Sequence, residues 1–163
     1  MKSTNVKKGF IEQFGKEAEH AFFSPVRVNL IGEQTDYNGG HVFPCAITLG
    51  TYAAVGSNNQ DAFLLYSDNF PDVGVVKIAF ADLTKEKQGL WTDYFQGIAQ
   101  VMQAAGLDYS HGLDVYISGN LPDGAGLSSS ASLEMLVATI LNELFAGNFA
   151  PIELVKFGVK VEN

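Results

Sequence analysis

A segment rich in glycine and serine lies between a predicted strand and the most regular predicted helix of the chain. Residues 118–132 read SGNLPDGAGLSSSAS. Gly124 and Gly126 carry no Cβ, so the backbone there can turn tightly and approach a ligand closely. The helix that follows presents unpaired N–H groups and the positive end of its dipole, and three consecutive serines add hydroxyl donors. This combination suits a bound phosphate group.

Two common phosphate-binding motifs do not fit this segment. A Walker A loop has a lysine before its last serine or threonine, and residues 118–132 contain no lysine. A dinucleotide-binding fingerprint would place a third glycine at position 129, where this chain has Ser129. The remaining alternative is an ordinary loop whose serines cap the helix. On its own, the segment indicates phosphate binding without identifying a class of enzyme.

A second polar segment, residues 24–40, reads SPVRVNLIGEQTDYNGG. Arg27 is a basic residue in a mostly acidic chain, and carboxylate and amide side chains follow it closely. Such groups accept several hydroxyl protons at once, so the segment could bind a polyol such as a sugar. The alternative is a cap and a turn, in which Asp36 and Asn38 favour the turn. Arg27 would then form a surface ion pair worth about 0–1 kcal/mol.

The periodicity of apolar residues predicts the elements that must position these two segments. Helices are predicted at residues 6–18, 92–105 and 128–146, and from Pro151 onward. Strands are predicted at residues 21–24 (ended by Pro25), 42–56 (one or two strands), 62–67, 73–80 and 112–118. In the last strand, Leu113, Val115 and Ile117 share one face. The strands cluster in the first eighty residues, which predicts an α+β domain with an antiparallel or mixed sheet.

The composition narrows the class of protein. A chain of 163 residues with 47% hydrophobic and 17% charged residues fits one folded domain with a sizeable core. Its net charge of −8 argues against nucleic acid as a main partner. No run approaches the roughly 20 apolar residues of a membrane-spanning helix, and residues 1–20 lack the apolar core of a signal peptide. We therefore expect no membrane association.

The cysteine and histidine content adds two expectations. Cys45 is the only cysteine, which excludes an intramolecular disulfide and fits a reducing cytoplasm. It lies in the apolar run 42–47, so we expect it to be a small buried residue. The three histidines stand far apart and give no zinc-type spacing.

Together, the two polar segments resemble the galactokinases of the GHMP kinase superfamily. Residues 27–37, RVNLIGEQTDY, resemble the galactokinase N-terminal signature, and residues 122–132, PDGAGLSSSAS, resemble the superfamily's ATP-binding motif. Their order and separation also match, as do shorter stretches at 65–67, 91–94 and 116–120. The first motif is specific for galactokinases, whereas the second assigns only the superfamily. The resemblance covers essentially the whole chain.

The resemblance implies a fold and a reaction. The fold would be the ribosomal-protein-S5-domain-2-like α+β domain found at the N-terminus of GHMP kinases, cut before the second lobe. Residues 1–163 would form this single domain, with a sugar-binding signature region at 1–60 and an ATP-binding region at 108–163. The reaction would be that of a transferase in galactose metabolism (the Leloir pathway): a kinase that moves the γ-phosphate of ATP to the anomeric hydroxyl of D-galactose. Such an enzyme would be cytoplasmic, and monomeric when full length.

The resemblance also implies the residues of the site. Arg27 would be catalytic, either by stabilising charge that develops during phosphoryl transfer or by polarising the attacking hydroxyl. Galactose would be held by Glu33, Gln34, Thr35 and Asp36. The ATP base would lie near Ser67 and Trp91, and the phosphates would be wrapped by Gly124, Ala125, Gly126, Leu127, Ser128, Ser129 and Ser130. Mg²⁺ would be bound by Ser130 and Glu162. Hard oxygen ligands and an anion-binding loop are what phosphoryl transfer requires.

The chain departs from the family pattern at several points. Val26 stands where the family usually has glycine, which tolerates a positive φ, and Gln34 stands where it usually has histidine, which can carry a charge. The family's catalytic aspartate lies beyond the Glu162–Asn163 pair, and its second lobe completes both ligand sites.

We therefore expect little or no turnover by these 163 residues alone. The alternatives are a non-catalytic galactose- or ATP-binding regulator and a truncated gene product without function. Mevalonate kinase and N-acetylgalactosamine kinase activities are lesser enzymatic alternatives.

Overall fold

The computed structural model describes residues 3–29, 41, 43–120 and 129–163. The elements within these ranges are α1 (Ser3–Phe14), β1 (His20–Asn29), β2 (Pro44–Asn58), β3 (Ala62–Ser67), β4 (Val76–Ala79), α2 (Thr92–Ala104), β5 (Gly112–Gly119), α3 (Ser129–Leu144) and α4 (Pro151–Glu162). Short 3-10 turns at Pro71–Val73 and Phe80–Asp82 flank β4. The predicted helices and strands are therefore present; β3 has its predicted bounds and the ends of the others are shifted.

The five strands form one mixed sheet in the order β1-β2-β5-β3-β4. β1 with β2, β2 with β5, and β3 with β4 pair antiparallel, whereas β3 pairs parallel with β5. β1, β3 and β5 consequently run in the same direction, and their carboxyl ends lie at one edge of the sheet. The chain leaves this edge at Asn29, Ser67 and Gly119, which are followed by the rest of the polar segment 24–40, a turn at Asp68 and the rest of the glycine-serine segment 118–132. The predicted α+β class with a mixed sheet is confirmed.

The main core lies between one face of the sheet and helices α2, α3 and α4. Alternate residues of β2 point to opposite faces, so Ala53 and Val55 belong to this core whereas Ala54 packs against α1 on the other side. The first seven residues of β5 are all buried. Leu113, Val115 and Ile117 share the face that packs in the main core, as predicted. The other face of β5 is buried as well, because α1 covers it and Lys16 forms a 2.7 Å ion pair with the buried Asp114.

The prediction that a strand ends at Pro25 is wrong. β1 continues through Pro25, which pairs with Gly50, and the register shifts between Pro25 and Arg27. A proline without an N–H group is tolerated here because β1 is an edge strand and the pairing is irregular at this point. Gly50 is required on the partner strand, since a Cβ at this position would collide with the carbonyl oxygen of Ser24.

Two further expectations need correction. The strand predicted at 73–80 is reduced to the four residues of β4, because the chain forms a 3-10 turn on either side of it. Cys45 is half-buried rather than buried, since it lies near the start of β2, where residues alternate between exposed and half-buried positions.

α3 and α4 form an antiparallel helical hairpin. The connecting turn contains Ala146 and Asn148 at φ 49° and 55°, a left-handed conformation that asparagine adopts more readily than most residues. The Asn142 side chain accepts the Phe149 N–H at 3.0 Å and donates to the Phe149 carbonyl at 3.2 Å. The hairpin brings the end of α4 back to the start of α3. No helix in the described ranges is long and apolar enough to cross a membrane.

Candidate functional site

Hydrogen bonds to two neighbouring segments hold the chain near the start of the glycine-serine segment. The Asn69 side chain donates to the carbonyl of Gly119 at 3.0 Å and accepts its N–H at 2.7 Å, in the manner of a neighbouring strand. Asn120 accepts the Gly50 N–H through its side chain at 2.9 Å and donates its own N–H to the Gly50 carbonyl at 3.2 Å. These contacts fix the point from which residues 121–128 depart.

Ser132 ties the first turn of α3 to the strand that carries Arg27. Its buried hydroxyl donates to the carbonyl of Ser24 at 2.8 Å and lies 3.1 Å from the Thr51 hydroxyl. Arg27 is three residues further along β1, about 10 Å at 3.3 Å per residue. The hydrogen bonds of Ser132 therefore set the start of α3 relative to the exposed Arg27.

Val26, which stands where the family usually has glycine, causes no backbone strain in this structure. Val26 is 1% exposed and lies within β1. Among the described residues, the only positive φ values outside glycine are those of Ala146 and Asn148. A glycine is thus not needed before Arg27 in this conformation.

Ser130 and Glu162 meet at the open end of the helical hairpin. The Ser130 hydroxyl donates to Glu162 Oε1 at 2.6 Å, although the two residues are 32 positions apart. A serine hydroxyl and a carboxylate are hard oxygen donors, the type that Mg²⁺ prefers, and such sites usually retain several water ligands. The pair fits a magnesium ion. In the ranges that the structure covers, no group of three or more His, Cys, Asp or Glu residues is placed to bind a metal.

Glu134 lies one helical turn after Ser130 and is 2% exposed. Burial, together with the negative charge of Glu162, raises the pKa of Glu134 to about 7, while the positive charge of Lys87 opposes this rise. Its Oε1 atom is buried and accepts no hydrogen bond from the described residues. A second carboxylate therefore lies close to the Ser130–Glu162 pair.

A cavity of about 530 Å³ lies between the turn after β3 and the start of α2. Its lining includes Phe70, Val73, Lys87, Leu90, Trp91 and Tyr94. A mostly apolar cavity of this size suits a planar base. Trp91 Nε1 is buried and has no hydrogen-bond partner among the described residues.

Helix α2 holds the segment that lines this cavity. The Asp93 carboxylate accepts the N–H groups of Gln88 and Gly89 at 3.0 and 2.7 Å. The Gln96 side chain donates to the carbonyls of Leu83 and Lys85 at 3.2 and 2.8 Å. These bonds hold residues 83–89 in place, and with them Lys87, whose positive charge acts on Glu134.

The structure describes only some of the predicted site residues. Trp91 lines the cavity, whereas Ser67 is buried at the end of β3 and reaches it only indirectly, because its carbonyl accepts the N–H of the lining residue Phe70. Ser129 begins α3. The predicted residues that lie outside the described part of the chain are Glu33, Gln34, Thr35, Asp36, Gly124, Ala125, Gly126, Leu127 and Ser128.

Several residues of this region were not selected from the sequence. They are Asn69, Ser132 and Glu134. The available signal was Glu134 itself, an acidic residue four positions after Ser130 on the stripe that Val137 and Leu141 continue.

Two family models match the chain. The galactokinase galactose-binding signature matches residues 8–57, and the GHMP kinase N-terminal domain matches residues 93–163. The galactokinase of Lacticaseibacillus casei (strain BL23) is 73% identical over all 163 residues. The chain belongs to the galactokinase family. It spans 42% of the length of that relative.

Solved structures agree with this assignment to the galactokinase family. The crystal structure of Lactococcus lactis galactokinase complexed with galactose superposes with a TM-score of 0.91 and 42% identity, over 98% of this chain and 42% of that one. The Methanococcus jannaschii mevalonate kinase superposes with a TM-score of 0.76 and 20% identity, over 88% of this chain and 45% of that one. The second similarity shows the shared fold.

Proposed function

We propose that these 163 residues form the part of a galactokinase that binds ATP and magnesium and contributes to galactose binding. The observation that carries the proposal is the 42% identity and TM-score of 0.91 to a galactokinase structure complexed with galactose. In the reaction, the anomeric oxygen of D-galactose forms a bond to the γ-phosphorus of ATP. The bond to the bridging oxygen breaks, ADP leaves, and the sugar hydroxyl releases its proton.

Ser130 and Glu162 would hold Mg²⁺ through the hydroxyl and the carboxylate. The metal supplies charge neutralisation at the phosphate oxygens. The hydrogen bond between the two side chains keeps both oxygens at the same end of the helical hairpin.

The remaining roles follow from the family's motif residues. Arg27 would stabilise charge on the transferred phosphoryl group or polarise the attacking hydroxyl. Glu33, Gln34, Thr35 and Asp36 would hold the sugar hydroxyls, and residues 124–130 would wrap the phosphates. The contacts of Asn69 and Asn120 support this placement, because they fix the chain just before the phosphate-binding segment.

The ATP base would occupy the cavity beside Trp91. Phe70, Val73 and Tyr94 provide an apolar lining for a planar ring. Lys87 lines the same cavity and its positive charge also acts on Glu134, so the cavity lies on the side of the Ser130–Glu162 pair. A nucleotide could thus extend from the base cavity toward Ser130 and Glu162, with Lys87 beside its phosphates.

Galactose-dependent release of ADP tests the proposed reaction. Because the chain spans 42% of its relative, we expect little turnover by the 163 residues alone. A chimaera in which this chain replaces the matching residues of the L. casei galactokinase is expected to release ADP when galactose, ATP and Mg²⁺ are all present. Binding of both ligands by a folded chimaera without ADP release would contradict the proposal and favour a non-catalytic regulator.

ATP is expected to quench the fluorescence of Trp91. Trp91 is the only tryptophan of the chain, so its emission reports on one site. A base that stacks in the cavity changes the surroundings of the half-buried indole directly. The measurement is a titration of the 163-residue chain with MgATP, excited at the red edge of the tryptophan band.

Inorganic tripolyphosphate is the matched control for this titration, because it carries the phosphates without a base. We expect it to leave the Trp91 emission unchanged. Equal quenching by tripolyphosphate and ATP would place the base somewhere other than this cavity.

A further inference from the structure

The carboxyl group of Glu134 lies in a location that packing alone does not explain. The side chain occupies a core-facing position of α3, between the buried Leu136 and Val137 and the start of the helix. Oε1 is inaccessible to solvent and has no hydrogen-bond partner among the described residues. The positive charge of Lys87 acts on the carboxyl, but Lys87 forms no hydrogen bond to Oε1. Burying an unpaired carboxylate is costly, so a residue of this type persists where something compensates its charge.

The helical hairpin places this carboxyl directly behind Ser130 and Glu162, the candidate cation-binding pair. Ser130 contacts Glu162, and one turn further along α3 the Glu134 carboxyl approaches Gly158, one turn earlier in α4. A Cβ built on Gly158 would lie 3.6 Å from Glu134 Oε2. The Glu134 side chain therefore lies beside Gly158 of α4, within ordinary contact distance of the position that a Cβ would occupy.

Like charges make this arrangement unfavourable without a cation. The charged groups that act on Glu134 are Glu162 on α4, which opposes its ionisation, and Lys87 in the segment before α2, which favours it. A divalent ion held by Ser130 and Glu162 would reverse the balance by adding positive charge near both carboxylates. Mg²⁺ retains several of its waters in protein sites, and these waters donate strong hydrogen bonds.

We propose that Glu134 is a further positioning residue of the cation site, whose buried carboxylate accepts a hydrogen bond from a water molecule bound to the metal. This inference rests on the proposed function, because it takes Ser130 and Glu162 as the residues that hold the ion. Residues that hydrogen-bond to a metal's ligands without contacting the metal commonly change the metal affinity by about 10- to 100-fold when they are replaced.

The test compares binding of Mn²⁺, used alone as a probe, by the 163-residue chain and its Glu134→Gln variant. Free Mn²⁺ is measured by electron paramagnetic resonance at pH 8, above the pKa of about 7 of the Glu134 carboxyl. Glutamine keeps the size of the side chain and removes its charge, so we expect an affinity about tenfold lower. Glu143→Gln, an exposed position on the same helix, is the control and is expected to bind Mn²⁺ like the original chain.

Thermal unfolding without metal supplies the second readout. We expect Glu134→Gln to unfold at the same temperature as the original chain or higher, because the buried charge is gone, while the stabilisation by added Mn²⁺ becomes smaller. A lower melting temperature without metal would indicate a structural role and overturn the inference.

Glu162→Gln separates this inference from the proposed function. If Glu162→Gln loses Mn²⁺ binding while Glu134→Gln retains full affinity, the inference is wrong and the proposed cation pair stands. If Glu162→Gln binds Mn²⁺ as tightly as the original chain, the cation pair itself is wrong, and the role of Glu134 is overturned with it.

Discussion

Replacing Arg27 by alanine is expected to lower kcat about a thousandfold in the chimaera built from this chain and the L. casei galactokinase. An arginine that neutralises charge on a transferred phosphoryl group contributes about 10³- to 10⁵-fold to the rates of enzymes that use one. Arg27 is suited to this role because its side chain is exposed at the carboxyl end of β1. The measurement is galactose-dependent ADP release at saturating ATP and galactose.

Two control variants make this result specific. Arg27→Lys keeps the charge but loses the planar, forked donor geometry, so we expect an intermediate rate. Lys8→Ala removes an exposed cation from α1, which packs on the opposite face of the sheet from α2, α3 and α4, and should leave the rate unchanged. If Arg27→Ala retained more than a tenth of the original kcat, Arg27 would not lie beside the reacting phosphate.

The helical part of the fold could be predicted from local patterns. The apolar stripe of α3 and the proline that begins α4 gave both helices within a few residues of their observed ends. β3 was predicted with its observed bounds. These elements carry their own signals, because their apolar spacing and their terminal residues lie within one short stretch of sequence.

The errors came from contacts that local sequence does not encode. Pro25 was expected to end a strand, but its position on the sheet edge opposite Gly50 lets β1 continue. The second buried face of β5 depends on where α1 packs, more than a hundred residues earlier in the chain. Neither fact can be obtained from the residues of the strand itself.

The candidate site also combines residues that the sequence identifies with residues whose role depends on contacts distant in sequence. The resemblance to galactokinases named Ser130 and Glu162 as partners, and the structure brings their oxygens to 2.6 Å. Glu134 was missed, because an acidic residue inside a helix is usually solvated and its burial depends on how α3 packs in the fold. Asn69 was missed since its side-chain pairing with Gly119 requires the parallel arrangement of β3 and β5.

Replacing Phe63 by alanine is expected to lower the free energy of unfolding by about 3–5 kcal/mol. Phe63 is fully buried, and its ring centroid lies 5.0 Å from those of Phe80 and Phe95 and 5.2 Å from that of Tyr109. The substitution leaves a cavity in the aromatic cluster. To fill it, β3, α2 and the segments that carry Phe80 and Tyr109 would have to move together. Urea denaturation followed by circular dichroism measures the change.

Phe43→Ala is the matched control, because the same ring is removed where the residue is 63% exposed. We expect a change below about 0.5 kcal/mol there. Domains of this size are stable by about 5–15 kcal/mol, so the loss at Phe63 would consume a large share of the total. A small effect at Phe63 would mean that the aromatic cluster is loosely packed.

The Phe63 variant also connects the core to the nucleotide cavity. Phe63 packs in β3 against Phe95 of α2, and the cavity lies between the turn after β3 and the start of α2. A shift between these two elements would displace Phe70 relative to Trp91. We therefore expect the folded fraction of Phe63→Ala to bind ATP more weakly in the Trp91 titration, whereas Phe43→Ala should bind normally. Unchanged ATP affinity in the folded Phe63 variant would show that residues 83–91 are held by Asp93 and Gln96 independently of the aromatic core.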